Sequence, residues 1–364
     1  MNKLPNGWTE YKLKDLCVIN YGKGLGKSNI VNGNIPVYSS GGIIGFHNTY
    51  NVNSEGVIIG RKGNAGSVFY SDKPFFCIDT AFYIEPNNQY DLKYLFYKLV
   101  SMNLKNHKTG TAIPGLIRND IYKLSISIPP LEEQKRIASA LSKIDAYLEN
   151  TIKLIEEKER FKRGITKKLL TCKEGENIPE ARFKGFEDEW ETKTLNSISN
   201  IKKGEQKNKL DLIADGKYPV LNGGMNFSGY CNSYNREANT ITISEGGNAG
   251  YVNFIKEKFW SSGHCYTLHD LKIDKYFLYQ CLKNSEKRLM KLQLGTALKN
   301  IRQSEIVEFE LNIPKSIKEQ EKIGGYLSLL DKEIDNLKKQ KELINEMKRG
   351  AMQKLLSGEV RLLE

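Results

Sequence analysis

Histidine, paired cysteines and long apolar runs are scarce in this sequence, and each shortage excludes a class of protein. The 364 residues include four histidines and six cysteines, and no two cysteines form a CxxC pair. Cysteines so scattered indicate reduced thiols rather than a disulfide framework. His264, Cys265 and His269 lie close together in the sequence, but their spacing fits no common zinc pattern, so we expect no metal site.

Membrane and export signals are also missing. No apolar run reaches the ~18 residues of a membrane-spanning helix. The first residues, MNKLPNGWTEYKL, lack the apolar core of a signal peptide. We therefore expect a cytoplasmic protein with no membrane partner.

The motifs that would indicate catalysis are incomplete. GKGLGKS at 22–28 resembles a phosphate-binding loop, but Tyr21 occupies the position that requires the first glycine. Pro129-Pro130 lacks the flanking Asn or Asp and the aromatic residue of an amino-group methyltransferase motif. No histidine has partners typical of a nucleophile triad. We expect the chain to carry no catalytic residue and to bind no cofactor itself.

Positive charge is abundant. Lys and Arg number 55 against 43 Asp and Glu, which gives a formal net charge of +12. Such an excess points to a polyanionic partner such as double-stranded DNA, although many basic proteins bind no nucleic acid.

Two long segments have the apolar spacing of helices. From Leu131, apolar residues recur at steps of three and four, at Ile137, Leu141, Ile144, Leu148 and Ile155. This spacing predicts a long helix with one narrow apolar seam. A second segment in the same register, 186 residues later, has its seam at Ile323, Leu327, Leu330, Ile334, Leu337 and Ile344. Because so narrow a seam must be buried, we predict that the two helices pair, and their order in the chain favours an antiparallel arrangement.

Gly324 and Gly325 interrupt the first turns of the second helix. Each glycine costs about 1 kcal/mol relative to alanine inside a helix. Separately, Ile313-Pro314-Lys315-Ser316 stands where the first copy has Ile128-Pro129-Pro130-Leu131, so we predict a looser start for the second helix than for the first.

The repeat extends beyond the helices. Trp8 returns as Trp190, IPVYSSGG at 35–42 as YPVLNGG at 218–224, and the GNAG of 63–66 as that of 247–250. Short β-branched and aromatic runs bounded by Gly, Asn and Pro predict strands in both copies. The predicted strands are 56–59, 67–70, 75–84, 124–128, 240–244, 251–255 and 259–268, with helices at 92–104 and 275–292.

The predicted fold class is therefore α+β, with two similar globular domains separated by a long antiparallel two-helix coiled coil. The predicted boundaries are 1–130 for the first globular domain, 131–171 for the first long helix, 172–316 for a polar linker and the second globular domain, 317–357 for the second helix and 358–364 for a tail.

Polar loops supply the candidate DNA contacts. Arg61, Lys62 and Asn64 lie in one glycine-rich loop, and Glu245 and Asn248 lie in its repeat. Arg contacts guanine, Asn contacts adenine, and Glu accepts from cytosine N4, but tight turns between strands also explain these loops. Further candidates, which a solvated surface explains equally well, are Lys23, Lys27, Tyr38, Ser39, Ser40, Lys108, Arg118, Lys207, Lys209, Asn222, Lys299 and Arg302.

Four motifs recur in a fixed order: IPPLEEQKRIASAL at 128–141, KRGITKKLL at 162–170, IPEARFKGFEDEW at 178–190 and MKRGAMQKLLSGEVRL at 347–362. With the repeats they make essentially the whole chain resemble the specificity subunit of a type I restriction-modification system. The resemblance implies that each globular domain is a target recognition domain for one part of a split, asymmetric DNA site. It implies that the helices set the spacer and dock two methyltransferase subunits, to which restriction and translocase subunits bind.

The resemblance further implies that this subunit is non-catalytic, with S-adenosylmethionine, ATP and Mg²⁺ bound by its partners. Two other interpretations of the sequence remain open. One is a self-sufficient DNA methyltransferase or nuclease with an unrecognised site, and the other is a coiled-coil adaptor with no role on DNA.

Overall fold

The structure, a computed structural model, describes residues 4–107, 115–294 and 300–363, apart from the side chain of Lys27. The chain divides into two compact units. Unit 1 comprises residues 1–152 and 339–364, and unit 2 comprises residues 153–338. No helix in the described ranges is long and apolar enough to cross a membrane.

The globular part of unit 1 is built from short strands and short helices. Its strands are β1 (Thr9–Lys12), β2 (Asn20–Tyr21), β3 (Ile35–Ser39), β4 (Gly42–His47), β5 (Gly56–Gly60), β6 (Val68–Ser71), β7 (Phe76–Cys77), β8 (Ala81–Ile84) and β9 (Ser125–Ile128). Its helices are α1 (Leu13–Leu16), α2 (Leu92–Ser101) and α3 (Arg118–Tyr122). The strands form sheets in the orders β2-β8-β5-β6 and β4-β3-β7 and a ladder of β1 with β9.

Strand β5 lies at the centre of unit 1. All its residues are buried, and it pairs antiparallel with both β6 and β8. Val57 and Ile59 face the core that includes α2, whereas Ile58 packs with Tyr38 and Phe75. A continuous β-branched run suits a strand that is covered on both faces.

Unit 2 repeats this arrangement. Its strands are β10 (Glu191–Thr194), β11 (Asn200–Lys203), β12 (Tyr218–Leu221), β13 (Gly229–Cys231), β14 (Thr240–Ser244), β15 (Val252–Ile255), β16 (Trp260–Ser261), β17 (Cys265–His269) and β18 (Glu310–Ile313). Its short helices are α5 (Leu195–Ile198), α6 (Lys275–Asn284), α7 (Glu286–Met290) and α8 (Gln303–Val307). The sheet orders are β11-β17-β14-β15 and β13-β12-β16, with a ladder of β10 and β18, as in unit 1.

The long helices are α4 (Leu131–Leu170) and α9 (Ile317–Ser357). In unit 1, Leu141 near the start of α4 shares a core with Leu355 near the end of α9. In unit 2, Leu169 near the end of α4 shares a core with Ile323 near the start of α9. Within each unit the pairing is therefore antiparallel, and the predicted α+β fold class is confirmed.

The predicted seam residues are covered. Those that the structure buries are Ile137, Leu141, Ile155, Ile323, Leu327, Ile334 and Ile344. The remaining four are half-buried: Ile144, Leu148, Leu330 and Leu337. Charged pairs flank the seam, with Lys348 Nζ 2.5 Å from Asp145 in unit 1 and Lys158 Nζ 2.8 Å from Glu333 in unit 2.

Two predicted strands were wrong because each spans a change of sheet. Residues 75–84 form β7, which pairs parallel with β3, and then β8, which pairs antiparallel with β5. Residues 259–268 divide into β16 and β17 in the same way. The breaks fall at Asp79-Thr80 and at Ser262-Gly263-His264, but polar residues also alternate with apolar ones inside strands, so periodicity did not locate the change of sheet.

Helix α9 is continuous from Ile317 to Ser357, and Gly324 and Gly325 do not break it. Gly324 is buried, and a Cβ at that position would lie 2.4 Å from Phe277 N and 2.6 Å from Asp274 Oδ1. The missing side chain lets α9 pack closely against the start of α6. A Cβ on Gly325 would meet nothing within 4 Å.

One buried ion pair recurs in both units. In unit 1, Arg361 Nε and Nη2 each donate to the Glu133 carboxylate at 2.7 Å. In unit 2, Arg182 Nε and Nη2 donate to Glu319 at 2.7 and 2.8 Å. The two glutamate side chains are only 2% and 1% exposed, so each depends on its arginine for a counter-charge. Different chain segments thus supply the same cation at the start of α4 and of α9.

We predict that Arg361→Met lowers the free energy of unfolding by about 3 kcal/mol, because it leaves the buried Glu133 without a counter-charge. Lys354→Met is the matched control, since Lys354 lies 4.0 Å from Glu359 and both side chains are more than half exposed. The control should change stability by no more than about 0.5 kcal/mol. Urea denaturation of both variants measures the difference, and equal losses would contradict a stabilising role for the Arg361–Glu133 pair.

Candidate nucleic-acid interface

The first glycine loop, residues 61–67, joins β5 to β6 and is fixed by its backbone. Arg61 N donates to Thr80 O at 2.9 Å, and Leu116 N donates to Arg61 O at 2.8 Å. Gly66 N donates to Gly60 O at 2.8 Å. Because both the N–H and the carbonyl of Arg61 are hydrogen-bonded, the backbone fixes the position from which the side chain extends, whatever the side chain contacts.

Gly66 brings this loop against the segment after α2. Its φ of +83° is one that residues with a Cβ rarely adopt, and a Cβ would lie 2.5 Å from Lys105 N. Gly63 has a similar φ of +73°, but its nearest neighbour would be Ser40 Oγ at 3.7 Å. Of these two glycines, Gly66 is therefore the one that close approach requires.

Two arginines contact one exposed tyrosine beside the first loop. The Arg61 guanidinium lies 5.0 Å from the centroid of the Tyr21 ring, and the Arg118 guanidinium lies 4.6 Å from it. Arg61 Nη1 also donates to Asp79 O at 3.1 Å. Tyr21 is 46% exposed, so both cations lie beside an accessible ring. An arginine held on an aromatic ring keeps its planar donors in a defined orientation. We call Tyr21, Arg61 and Arg118 the arginine cluster.

The second glycine loop, residues 245–251, has the same backbone bonds in unit 2. Glu245 N donates to His264 O at 2.9 Å, and Ile301 N donates to Glu245 O at 2.8 Å. Gly250 N donates to Ser244 O at 2.8 Å. Glu245 thus occupies in unit 2 the position that Arg61 occupies in unit 1.

The Glu245 side chain is surrounded by donors. Its Oε1 accepts from Lys203 Nζ at 2.6 Å and from the Tyr266 hydroxyl at 2.9 Å, and Oε2 lies 3.7 Å from His264 Nδ1. Burial, followed by the hydrogen bond to Glu245, raises the pKa of the Tyr266 phenol, which therefore stays protonated as a donor. We call Lys203, Glu245 and Tyr266 the glutamate cluster.

Other predicted contacts lie next to these loops. In unit 1, Ser40 N donates to Thr80 Oγ1 at 3.4 Å, and Gly41 N donates to Ser39 Oγ at 3.1 Å. Asn64 Nδ2 lies 3.0 Å from the position that a Cβ on Gly41 would take. In unit 2, Asn248 N donates at 3.1 Å to the carbonyl oxygen of the residue after Asn222.

Tyr38 and Asn222 differ from the exposed candidates. Tyr38 is a core residue, 7% exposed, with its ring edge-on to Phe75 at 5.6 Å, so little of it is available to DNA. Asn222 Oδ1 is buried and accepts no hydrogen bond within the described part of the chain.

The predicted basic residues differ in their exposure and in their contacts. Lys23, Lys62, Lys209 and Arg302 are exposed, and Arg302 directly precedes α8. Lys207 Nζ lies 3.6 Å from the centroid of the Trp260 ring, the closest cation–ring contact in the described residues. Lys108 and Lys299, and the side chain of Lys27, lie outside what the structure describes.

Sequence reasoning missed the partners of the two loops. Tyr21, Lys203 and Tyr266 lie apart from the loops along the chain, and only the fold brings them to Arg61 and Glu245. The sequence contained a partial signal for these partners. Tyr21 and Lys203 directly precede Gly22 and Gly204, which are equivalent glycines in the two copies of the repeat. The described residues contain no group of three or more His, Cys, Asp or Glu that could hold a metal ion.

We predict that Gly66→Ala lowers the free energy of unfolding by about 3 kcal/mol, from backbone strain and from contact with the backbone at Lys105. Gly63→Ala, its matched control, bears only the strain of a positive φ and should cost about 1 kcal/mol. Thermal unfolding followed by circular dichroism compares the two. Equal costs would show that close approach at Gly66 does not hold the loop.

Comparison with known proteins identifies the family. The model of the type I restriction modification DNA specificity domain matches residues 5–157 and 187–346. A type I specificity subunit of Mycoplasma pneumoniae is 40% identical over 151 residues, 41% of this chain and 40% of that protein. The specificity subunit of the type I restriction enzyme MjaVIII of Methanocaldococcus jannaschii is 28% identical over 342 residues, 85% of this chain and 80% of that subunit. The match to the M. pneumoniae protein, and one to a Mycoplasma genitalium specificity subunit, span less than half of those relatives, 40% and 45%.

Solved structures share the fold. The S subunit of a type I restriction-modification system from M. genitalium gives a TM-score of 0.77 at 24% identity over 97% of both chains. A chain from a structure concerning complex assembly and conformational transition of the type I R-M system gives 0.55 at 14% identity, over 99% of this chain and 100% of that one. The family model matches one segment in each copy of the repeat and together more than half of the chain, which confirms the resemblance drawn from the motifs. This protein belongs to the type I restriction modification DNA specificity domain family.

Proposed function

We propose that this chain is the DNA-recognition subunit of a type I restriction-modification complex and that each unit reads one part of a bipartite, asymmetric site. The observation that carries the proposal is the family match to both copies of the repeat, in which the two glycine loops share their backbone bonds and differ in their side chains. Two loops with the same backbone hydrogen bonds but different side chains suit two half-sites of different sequence. Base edges are read by side chains, whereas backbone-positioning contacts carry no sequence information.

Two lysine–aromatic pairs of unit 2 also suit contact with DNA. Lys207 stacks on Trp260, and Lys258 Nζ lies 4.3 Å from the centroid of the Tyr234 ring. Lysines neutralise phosphates and release counterions, which favours binding of DNA by a chain whose net charge is +12.

The long helices favour a fixed spacer and a site for partner subunits. Each helix is continuous from residues of one unit into residues of the other. We include in the proposal that two methyltransferase subunits dock on this helix pair and that restriction and translocase subunits bind to the resulting core in the cytoplasm. S-adenosylmethionine, ATP and Mg²⁺ then belong to those partners, and this chain carries no catalytic group.

Selection from a random duplex pool tests the proposal. The complex, purified through a tag on this chain, should enrich sequences with two unlike elements at one fixed separation, and retention should fall steeply as salt rises. A single continuous element would contradict bipartite recognition. No sequence enrichment at any salt would favour the adaptor, and methylation or cleavage by the isolated chain would favour a self-sufficient enzyme.

Shortening both helices by one heptad should shorten the spacer. Deleting residues 150–156 and 336–342 keeps the seam in register and removes about 10 Å of helix. That length corresponds to about three base pairs at 3.4 Å each. We predict an enriched spacer about three base pairs shorter with both elements unchanged.

A matched variant retains both heptads and replaces only their exposed residues with alanine, and its spacer should equal that of the original chain. An unchanged spacer in the shortened chain, or altered elements, would contradict the role of the helices as a ruler.

A further inference from the structure

Residues 61 and 245 differ in charge at equivalent places in the two units. Their backbone N–H groups donate to Thr80 O and His264 O, and their carbonyls accept from Leu116 N and Ile301 N. The side chains therefore start from matched positions. One is a guanidinium and the other is a carboxylate.

The neighbours of these side chains differ in the same sense. Arg118 Nη1 donates to Ile19 O at 3.4 Å, and in unit 2 the equivalent bond is made by Gln303 Nε2 to Ile201 O at 3.0 Å. Arg118, the first residue of α3, therefore corresponds to Gln303, the first residue of α8, rather than to the neighbouring Arg302. The arginine cluster thus holds two cations at a spot where unit 2 holds one carboxylate, one ammonium and one neutral amide.

The two clusters offer opposite kinds of hydrogen-bonding group, donors in unit 1 and an acceptor in unit 2. In unit 1, Arg61 Nη1 donates to Asp79 O, the one hydrogen bond of this guanidinium among the described residues, and the Tyr21 ring lies against it. The other N–H groups of the fork remain as donors. In unit 2, Oε1 of Glu245 accepts two hydrogen bonds, whereas the nearest partner of Oε2 in the described part of the chain is His264 Nδ1 at 3.7 Å. An ionised carboxylate can only accept.

The base edges that match these groups differ. In the major groove guanine presents two acceptors, N7 and O6, which a guanidinium contacts in bidentate fashion. A carboxylate requires a donor, and there the donors are the exocyclic amino groups of cytosine and adenine. We infer that Arg61 reads a guanine in the element bound by unit 1 and that Glu245 reads an exocyclic amino group in the element bound by unit 2.

This assignment rests on the proposed function and adds to it the base chemistry of one position in each element. A purely structural role is not required of either side chain, because the backbone bonds already hold both loops. Lys203 and Tyr266 orient the carboxylate and neutralise part of its charge, which lowers its repulsion from nearby phosphates.

Two variants with the same neutral side chain test the inference. Arg61→Gln and Glu245→Gln, in the complex purified through this chain, are compared with the original chain by selection from the random duplex pool. Lys135→Gln is the control, since Lys135 is exposed on α4 and pairs only with Glu132 in the described structure. Thermal unfolding of each variant shows whether it remains folded.

We expect Arg61→Gln to weaken preference for guanine at one position of the unit 1 element alone, by about 5- to 150-fold. Glu245→Gln should change preference at one position of the unit 2 element alone, by a similar factor, and the control should change neither. Unchanged preferences, or a uniform loss of binding to all sequences, would overturn the inference. A failure of the original chain to enrich two elements would instead overturn the proposed function.

An altered ligand tests the Glu245 assignment without any protein variant. The base at the affected position is replaced by an analogue that lacks the exocyclic amino group, either 2-pyrimidinone for cytosine or purine for adenine. A loss of affinity of about fivefold or more with one analogue identifies the base whose amino group Glu245 contacts. No loss with either analogue would show that Glu245 accepts from no exocyclic amino group.

Discussion

Burial of two narrow apolar seams is the constraint on which this structure depends. Helices α4 and α9, of 40 and 41 residues, carry too little apolar surface to be stable alone. In each unit the end of one helix and the start of the other complete a globular core. The antiparallel pairing follows, because each core needs one helix beginning and one helix ending. The globular parts are thereby tied to the helices by their own cores rather than by flexible connections.

The start of each long helix shows how closely the duplication is kept. Glu133 and Glu319 are buried at equivalent positions, and a bidentate arginine neutralises each. Arg361 comes from the tail after α9, whereas Arg182 comes from the linker after α4. The two segments differ in sequence context but meet the same electrostatic need, since a buried carboxylate without a counter-charge is strongly destabilising.

Much of this architecture could be predicted from the sequence, because helical periodicity and a constant offset between repeats are properties of the sequence itself. The seam from Ile137 to Ile155 and the paired glycine loops are examples. The change of sheet within residues 75–84 could not be predicted, since a pairing partner is a property of the fold. The packing role of Gly324 could not be predicted for a similar reason: its cost in an isolated helix is visible in the sequence, but its contact with α6 is not.

Some features of the candidate site could likewise be predicted from the sequence, and others could not. Arg61 and Glu245 could be located because they interrupt a repeated glycine motif with opposite charges. The side chains that surround them could not be predicted, because the contacts form only in the folded protein. Arg61 lies beside Tyr21 and Arg118, and Glu245 accepts a hydrogen bond from Tyr266. Tyr38, chosen from its position in a polar turn, belongs to the core because Phe75 covers its ring. A shared framework that carries unlike side chains at matched places is the physical basis for reading two different sequences.

Hydroxyl-radical footprinting of the purified complex on its enriched DNA tests the central claim most directly. Two short protected elements, separated by a gap of constant length and each lost when the side chains of one glycine loop are replaced by alanine, are the predicted result. One continuous protected stretch, or loss of both elements when either loop is changed, would contradict independent reading by two units.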